Sequence, residues 1–323
     1  MKKYDVVALG ELLIDFTENG ISEQGNPLLE ADPGGAPCNV LAMLSKLGRK
    51  TAFIGKVGKD SFGEMLAETI KDCGIGAEGL TFDDNVHTTL AFVHKKPDGD
   101  RDFSFYREPG ADMTLSEADV NTDLIRNSKI FHFGTLSMTH DNNRNATFYA
   151  VKTAKENGAL ISFDPNLREP LWKSLGEAKA AMKYGFSVCD ILKISDNEIE
   201  FFTGERDIDK GVAAIRKEFD VPLVLATMGR KGSKAYCDGI LVSAGAYDNP
   251  DVVDTTGAGD TFMGCALNYI CENGIMLAKE QLAELLDFAN AAASIITGRR
   301  GAIRAMPQKA EIDKLRSCKS RSF

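Results

Sequence analysis

The sequence contains no Gly-x-x-x-x-Gly-Lys-Ser/Thr stretch, which excludes a P-loop as a pattern. It has no Cys-x-x-Cys pair either. Its seven cysteines (Cys38, Cys73, Cys189, Cys237, Cys265, Cys271 and Cys318) are scattered and odd in number, which argues against a zinc site or a disulfide framework. That usage fits reduced thiols in a cytoplasmic protein. No run approaches the roughly 20 apolar residues that span a bilayer. The stretch Met1–Phe16 begins like a signal peptide, but Asp5, Glu11 and Asp15 interrupt it, so it reads as a first strand. Positive charge is in deficit, with 38 Lys and Arg against 47 Asp and Glu, a net charge of −9. This excludes nucleic-acid binding through a broad basic face, though not a local pocket for a phosphorylated ligand. The rest of the composition is ordinary for a globular chain, 43% apolar and 26% charged, which rules against disorder, collagen and coiled coil. The 323 residues allow one large domain or two smaller ones.

Short β-rich apolar runs alternate with amphipathic stretches. Strands are expected at Val6–Leu9, Thr51–Gly55, Ile130–Phe133, Leu160–Phe163, Ile191–Ile194 and Leu223–Thr227. Helices are expected at Asn39–Leu47, Phe62–Asp72, Asn142–Asn157 and Ile208–Phe219. Leu282, Leu285, Leu286, Ala289, Ala293 and Ile296 fall on one face of a late helix. Alternating βα units predict a mostly parallel sheet covered by helices on both faces. Glu11–Asp32 and His87–Tyr106 break the rhythm and read either as antiparallel strands of a small β-lid or as two ordinary surface excursions, with a Pro97-Asp98-Gly99 turn in the second. The basic tail Lys314–Phe323 reads as a frayed end.

The strongest chemical signal is Asp254-Thr255-Thr256-Gly257-Ala258-Gly259-Asp260 before an apolar helical run. Small residues there let backbone amides converge at a helix start, whose dipole end favours an anion. Such a hole suits the charge that develops in phosphoryl transfer, and Asp260 is placed to accept a proton at the same point. The competing reading is Asp260 as an ordinary helix cap. A second signal is Asp32-Pro33-Gly34-Gly35-Ala36-Pro37-Cys38-Asn39, a close-approach loop in which Asn39 caps a helix or binds hydroxyls. A third is Lys193–Glu200, just after a strand, where Glu198 is a candidate for holding Mg²⁺ through water or simply part of a charged helix start. A fourth is Thr227-Met228-Gly229-Arg230-Lys231-Gly232, a nucleotide-approach loop or a plain turn. Gly74–Gly79 matches Gly-x-Gly-x-x-Gly, but a helical pattern precedes it, so it reads as a helix cap and turn rather than a dinucleotide site.

Together these motifs resemble the ribokinase-like, phosphofructokinase B-type carbohydrate kinases over nearly the whole chain. Gly34-Gly35 with Asn39, and Asp254–Asp260, match the two family signatures in order. Gly55–Gly63 and Asp164-Pro165-Asn166-Leu167-Arg168 are typical as well. The resemblance implies a three-layer α/β/α sandwich with a small β-sheet lid. It implies a single kinase domain over 1–323, with lid strands from about 11–33 and 87–110. It implies Asp260 as catalytic base, Gly257, Ala258 and Gly259 as the anion hole, and Arg168 as an aid against developing charge. Asp15, Gly34, Gly35, Asn39 and Arg107 become sugar ligands. Lys193, Ser195, Glu198, Thr227, Gly229, Gly232 and Asn290 become contacts for ATP and its Mg²⁺. Asp254, Thr256, Ile296, Arg299, Gly301 and Ala305 match a monovalent-cation site for K⁺.

The family's usual Asn-x-x-Glu appears as Ser195-Asp196-Asn197-Glu198, which resembles the fructokinases, as do Arg107–Asp112 and His132–Ser137. The expected activity is therefore transfer of phosphate from ATP to the 6-hydroxyl of fructose, in a cytoplasmic enzyme with a homodimer through the lid. The rival within the class is 2-keto-3-deoxygluconate kinase, whose substrate carboxylate would call on Arg107 and Tyr106. The rival outside it is a catalytically silent sugar-binding regulator, which would lack Asp260 or the Gly-Ala-Gly run.

Overall fold

A computed structural model describes residues 2–95 and 101–319. The chain runs β1 (Tyr4–Leu9), β2 (Leu13–Ile21), β3 (Pro27–Gly34), α1 (Ala36–Lys46), β4 (Thr51–Gly58), α2 (Ser61–Asp72), β5 (Ile75–Asp83), β6 (Leu90–Lys95) and β7 (Arg101–Tyr106). It continues through α3 (Thr122–Arg126), β8 (Ser128–Phe133), α4 (Asp141–Glu156), β9 (Leu160–Phe163), α5 (Leu175–Val188), β10 (Ile191–Ser195), α6 (Asp196–Thr203), α7 (Ile208–Glu218) and β11 (Leu223–Thr227). It closes with β12 (Ser233–Cys237), β13 (Ile240–Ala244), α8 (Ala258–Asn273), α9 (Lys279–Thr297) and α10 (Lys309–Lys319).

Among the described residues, nine strands form the main sheet in the order β13-β12-β11-β10-β9-β8-β1-β4-β5. Pairing is parallel from β5 to β11, and β12 and β13 add an antiparallel edge. Because strand side chains alternate, the sheet feeds two cores. Val6 and Ala8 of β1 point to one, with Leu223 and Leu225 of β11, and are covered by α1, α2 and α8–α10. Val7 and Leu9, with Val224 and Ala226, point to the other, covered by α3–α7. This is the three-layer α/β/α sandwich expected. No helix among the described residues is long and apolar enough to cross a membrane.

The second sheet has the order β3-β2-β6-β7. Its outer pairs are antiparallel as expected, but β2 and β6 run parallel, since the chain crosses through β4, α2 and β5 between them. The expected Pro97-Asp98-Gly99 turn lies outside the described residues. Two further expectations are corrected. Gly74, at φ 74, does end a helix, but Ile75–Gly79 belong to edge strand β5 rather than a turn. The tail is helical through Lys319, with Ile312 of α10 anchored in the first core; residues 320–323 lie outside the described residues.

Two helix starts depend on glycine. Helix α1 begins after Gly35, whose φ of 124 suits glycine, and has Pro in its first turn, where a missing N–H costs nothing. Helix α8 begins after Gly257, at φ 77, with no side-chain cap. The two helices pack closely because Gly264 has no side chain: a Cβ there would sit 2.7 Å from that of Met43.

Candidate active site

The strands β1, β9, β10 and β11 deliver their C-terminal ends to one edge of the main sheet, where ligands of open α/β folds bind. There a cavity of about 960 Å³ opens between that edge, β2 of the small sheet and the first turns of α1 and α8. A second hollow of about 650 Å³ shares Thr227, Val252, Thr255 and Gly259 with it.

Asp260 stands at the junction. It is the third residue of α8 and does not cap the helix, since Gly257 holds that position. Its carboxylate is buried. Oδ2 accepts a hydrogen bond from Asn39 Nδ2 at 2.8 Å and Oδ1 accepts one from Asn166 Nδ2 at 3.3 Å. Asn39 therefore lies inside α1 and is not its cap; the close α1–α8 packing carries its amide to Asp260. Gly257 and Gly259 line the main cavity, and Ala258 lines the second hollow. Gly257 is required by space and by its φ of 77, since a Cβ there would sit 2.8 Å from Ala302 Cβ, and a Cβ on Gly259 would sit 2.9 Å from Lys193 Nζ and press on the end of that side chain.

Lys193, near the end of β10, is buried beneath this turn and pairs with Asp164 at 3.0 Å. Burial works against its charge, but Asp164, Glu198 and Asp260 outweigh it and hold the ammonium above its ordinary range. It is a fixed cation next to the open end of α8. Asp15, from β2, and Gly35 line the other side of the main cavity, and Gly34 lies against the Asp15 carboxylate. Burial pushes the Asp15 carboxyl up to about 7, against the pull of Arg168. Arg168 sits exposed at the rim, with Nη1 donating to Leu167 O at 3.1 Å. Glu11, which the sequence pattern does not single out, is also in this wall. Its Oε1 accepts from Ala36 N at 2.8 Å, and burial raises its carboxyl to about 7.

Thr227, Gly229, Gly232 and Asn290 line the second hollow with Ala246, Pro250 and Phe262. Asn290 is fixed there, accepting from Ser233 Oγ at 2.9 Å and donating to the carbonyls of Ala244 and Gly245. The shape is a largely apolar slot opening onto the α8 end, which fits a nucleotide with its phosphates toward Gly257–Asp260.

Several expected residues are placed otherwise. Arg107 does not line the cavity. It is buried, 4% exposed, with Nε and Nη2 donating to Asp112 at 2.9 and 2.5 Å and Nη1 to Thr139 Oγ1 at 2.9 Å. A guanidinium tied to a carboxylate in the interior braces the base of the small sheet and is not offered to a sugar. Tyr106 is 67% exposed and packs edge-on against Phe92. Glu198 and Ser195 line the cavity, but Glu198 Oε2 accepts from Ser195 N and Oγ, both at 2.8 Å, as a capping box, and Oε1 accepts from Leu167 N at 2.9 Å. Both Glu198 oxygens are thus engaged, which is compatible with the expected contact to Mg²⁺ through water and not with a direct bond, and among the described residues no group of three or more His, Cys, Asp and Glu is placed to hold a metal.

The expected cation loop is placed as follows. Ile296 belongs to α9, with its side chain in the core. Arg299 donates through Nη1 to Ala305 O at 2.8 Å and pairs with Glu311, so one lone pair of that carbonyl is engaged by a protein cation. Gly301 lies against Asp32. Asp254 is buried behind the cavity, where its Oδ1 accepts from Thr256 N at 2.7 Å; Thr256 itself lines the cavity. His132, in the fructokinase-like stretch, is a core residue whose Nδ1 lies 2.8 Å from Ser162 Oγ, and burial lowers it to about 3, so it is neutral.

The chain and its fold are similar to known proteins. The chain is 44% identical over 309 residues to fructokinase-2 of Solanum lycopersicum, covering 95% of this chain and 94% of that one. The structure superposes with a TM-score of 0.90 on a fructokinase with bound ATP from Xylella fastidiosa, 28% identical, covering 99% of this chain and all of that one. A fructokinase double mutant from Vibrio cholerae O395, in a form with fructose, ADP and potassium ion bound, gives a TM-score of 0.85 at 28% identity, covering 98% of this chain and 99% of that one. Residues 3–309 match the pfkB family carbohydrate kinase profile. The chain belongs to the pfkB family of carbohydrate kinases.

Proposed function

We propose that the protein transfers the γ-phosphoryl group of ATP to the 6-hydroxyl of D-fructose, giving fructose 6-phosphate and ADP. The observation that carries this is the junction at Asp260, where a buried carboxylate and an uncapped helix start face the boundary between the polar cavity and the apolar slot. Fructose occupies the main cavity against Asp15, Gly35 and Asn39, and ATP lies along Thr227–Gly232 and Asn290.

The chemistry follows from that placement. The fructose oxygen forms a bond to the γ-phosphorus as the bond from phosphorus to the bridging oxygen of ADP breaks, and Asp260 takes the hydroxyl proton. A carboxylate is a weak base for an alcohol, so the proton moves late, once the oxygen is bonding to phosphorus. The amides of Gly257–Asp260 and the α8 dipole offset charge on the transferred group, with Lys193 beneath and Arg168 at the rim. Glu198 would hold the Mg²⁺ of ATP through water, because its oxygens hold backbone amides. Asp254 and Thr256 would stand beside K⁺, where it would add positive charge near the anion hole. The small sheet closes the sugar side, which keeps water from competing for the phosphoryl group.

Fructose is favoured over 2-keto-3-deoxygluconate because the Arg107 and Tyr106 donors for a carboxylate are absent from the cavity wall. The whole chain acts as one kinase unit in the cytoplasm. Ile21, Leu28, Leu29 and Tyr106, exposed on the small sheet, are the surface for a homodimer. The test is ADP release with fructose, 2-keto-3-deoxygluconate, ribose and adenosine in parallel. Preference for fructose is expected. Preference for another acceptor overturns the substrate, and no turnover on any of them supports a silent sugar-binding protein.

A further inference from the structure

We propose that Asn166 is a positioning residue for Asp260, and that the left-handed turn after β9 aims its amide at that carboxylate. The inference rests on Asp260 being the base. Asn166 has φ 47, a region that non-glycine residues seldom occupy and that asparagine tolerates better than most. Strain of this kind persists where the surroundings over-determine it.

Here they do, residue by residue. Asp164 N donates to Phe133 O at 3.2 Å, and the Asp164 carboxylate holds Lys193. Pro165 O accepts from both Thr135 N and Thr135 Oγ1, at 3.0 and 2.6 Å. Leu167 N donates to Glu198 Oε1. Each neighbour of Asn166 is pinned by a different element, and the residue between them is left pointing into the cavity. Its Nδ2 meets Oδ1 of Asp260, while Asn39 meets Oδ2 from the opposite wall. One amide on each oxygen fixes the plane of the carboxylate, and with it the direction from which a hydroxyl proton is accepted. This also gives Glu198 a task independent of metal: through Leu167 it holds the turn that holds Asn166.

The test uses Asn166→Gly, which accepts the left-handed backbone and so folds, and Asn166→Asp, which keeps the shape and removes the donor. Wild type and Asp260→Ala are measured beside them. Asn166→Gly is expected to lower kcat about tenfold to a hundredfold, the cost of a misaimed catalytic group, with KM for both substrates within about threefold. Asp260 is faced by Lys193 from β10, Asp164 from the turn and Asp15 from β2, and neither variant substitutes any of them, so their own titration is common to wild type and variants. Asn166→Asp adds a like charge against Asp260, so the pair keeps a proton to higher pH and the acid limb of the kcat profile moves upward. A merely structural Asn166 would not move that limb. Wild-type kcat and pH profile in both variants, with Asp260→Ala inactive, overturns the role of Asn166 and leaves the base in place. Substantial turnover by Asp260→Ala overturns the base, and the role of Asn166 with it.

Discussion

Helices α1 and α8 start alike and finish their starts differently. Both follow a glycine at positive φ, both point a first turn at the same cavity, and they pack side by side. In α1 the first amide is taken by the Glu11 carboxylate and the second residue is Pro37, which has no N–H to offer. The protein has filled that end with its own acid. In α8 no side chain caps the end, and Lys193 lies beneath it. A helix start answered by a carboxylate is poor at holding another anion, whereas an uncapped one beside a buried cation is well suited to it. The proposed reaction accordingly has the neutral sugar at α1 and the phosphoryl group at α8, with Asn39 and Asp260 linking the two.

The sharpest break of this division is Asp260→Ala. It is expected to lower kcat about 10²–10⁴-fold, the range of a lost general base, while ATP affinity measured by titration is retained. Next is Asp15→Asn on the sugar side. Wild-type KM for fructose is expected to fall as pH rises from 6 to 8, because the carboxyl ionises near 7 and the ionised form is the better acceptor for a hydroxyl. The variant should show a KM raised about tenfold and no such pH dependence. The smallest effect is on stability. Folding raises Glu11 from 4.5 to about 7, so the folded state binds the extra proton, and stability from this group is full below 4.5 and is lost as pH rises through 7. Glu11→Gln, always neutral, is expected to melt about 2–4 °C above wild type at pH 8, with the gap closing toward pH 5. A wild-type-like melting curve at both pH values would show that Glu11 carries no such charge cost.

Much of the fold was legible because buried parallel strands are short continuous apolar runs. Leu160–Phe163 and Leu223–Thr227 are strands with the bounds their sequence suggests. The Ile75–Gly79 half of strand β5 was not, because Gly76 and Gly79 weaken its pattern in an edge position. The anion-hole turn was legible because Asp254–Asp260 is local. The partners of Asp260 were not: Asn166 and Asn39 lie 94 and 221 residues away, and only tertiary packing joins them. Arg107 misled for the related reason that its partner Asp112 makes it a brace, which residue type does not reveal.

The division between the two helix starts is tested most directly by steady-state kinetics on Gly259→Ala, with both KM values measured. The added Cβ would press on Lys193 Nζ at the α8 end and leave Asp15, Gly35 and Glu11 untouched. The expected result is a kcat lowered about 10²-fold, as for loss of an oxyanion donor, with fructose KM within about threefold of wild type. A fructose KM that rises in step with the loss of kcat would contradict the division.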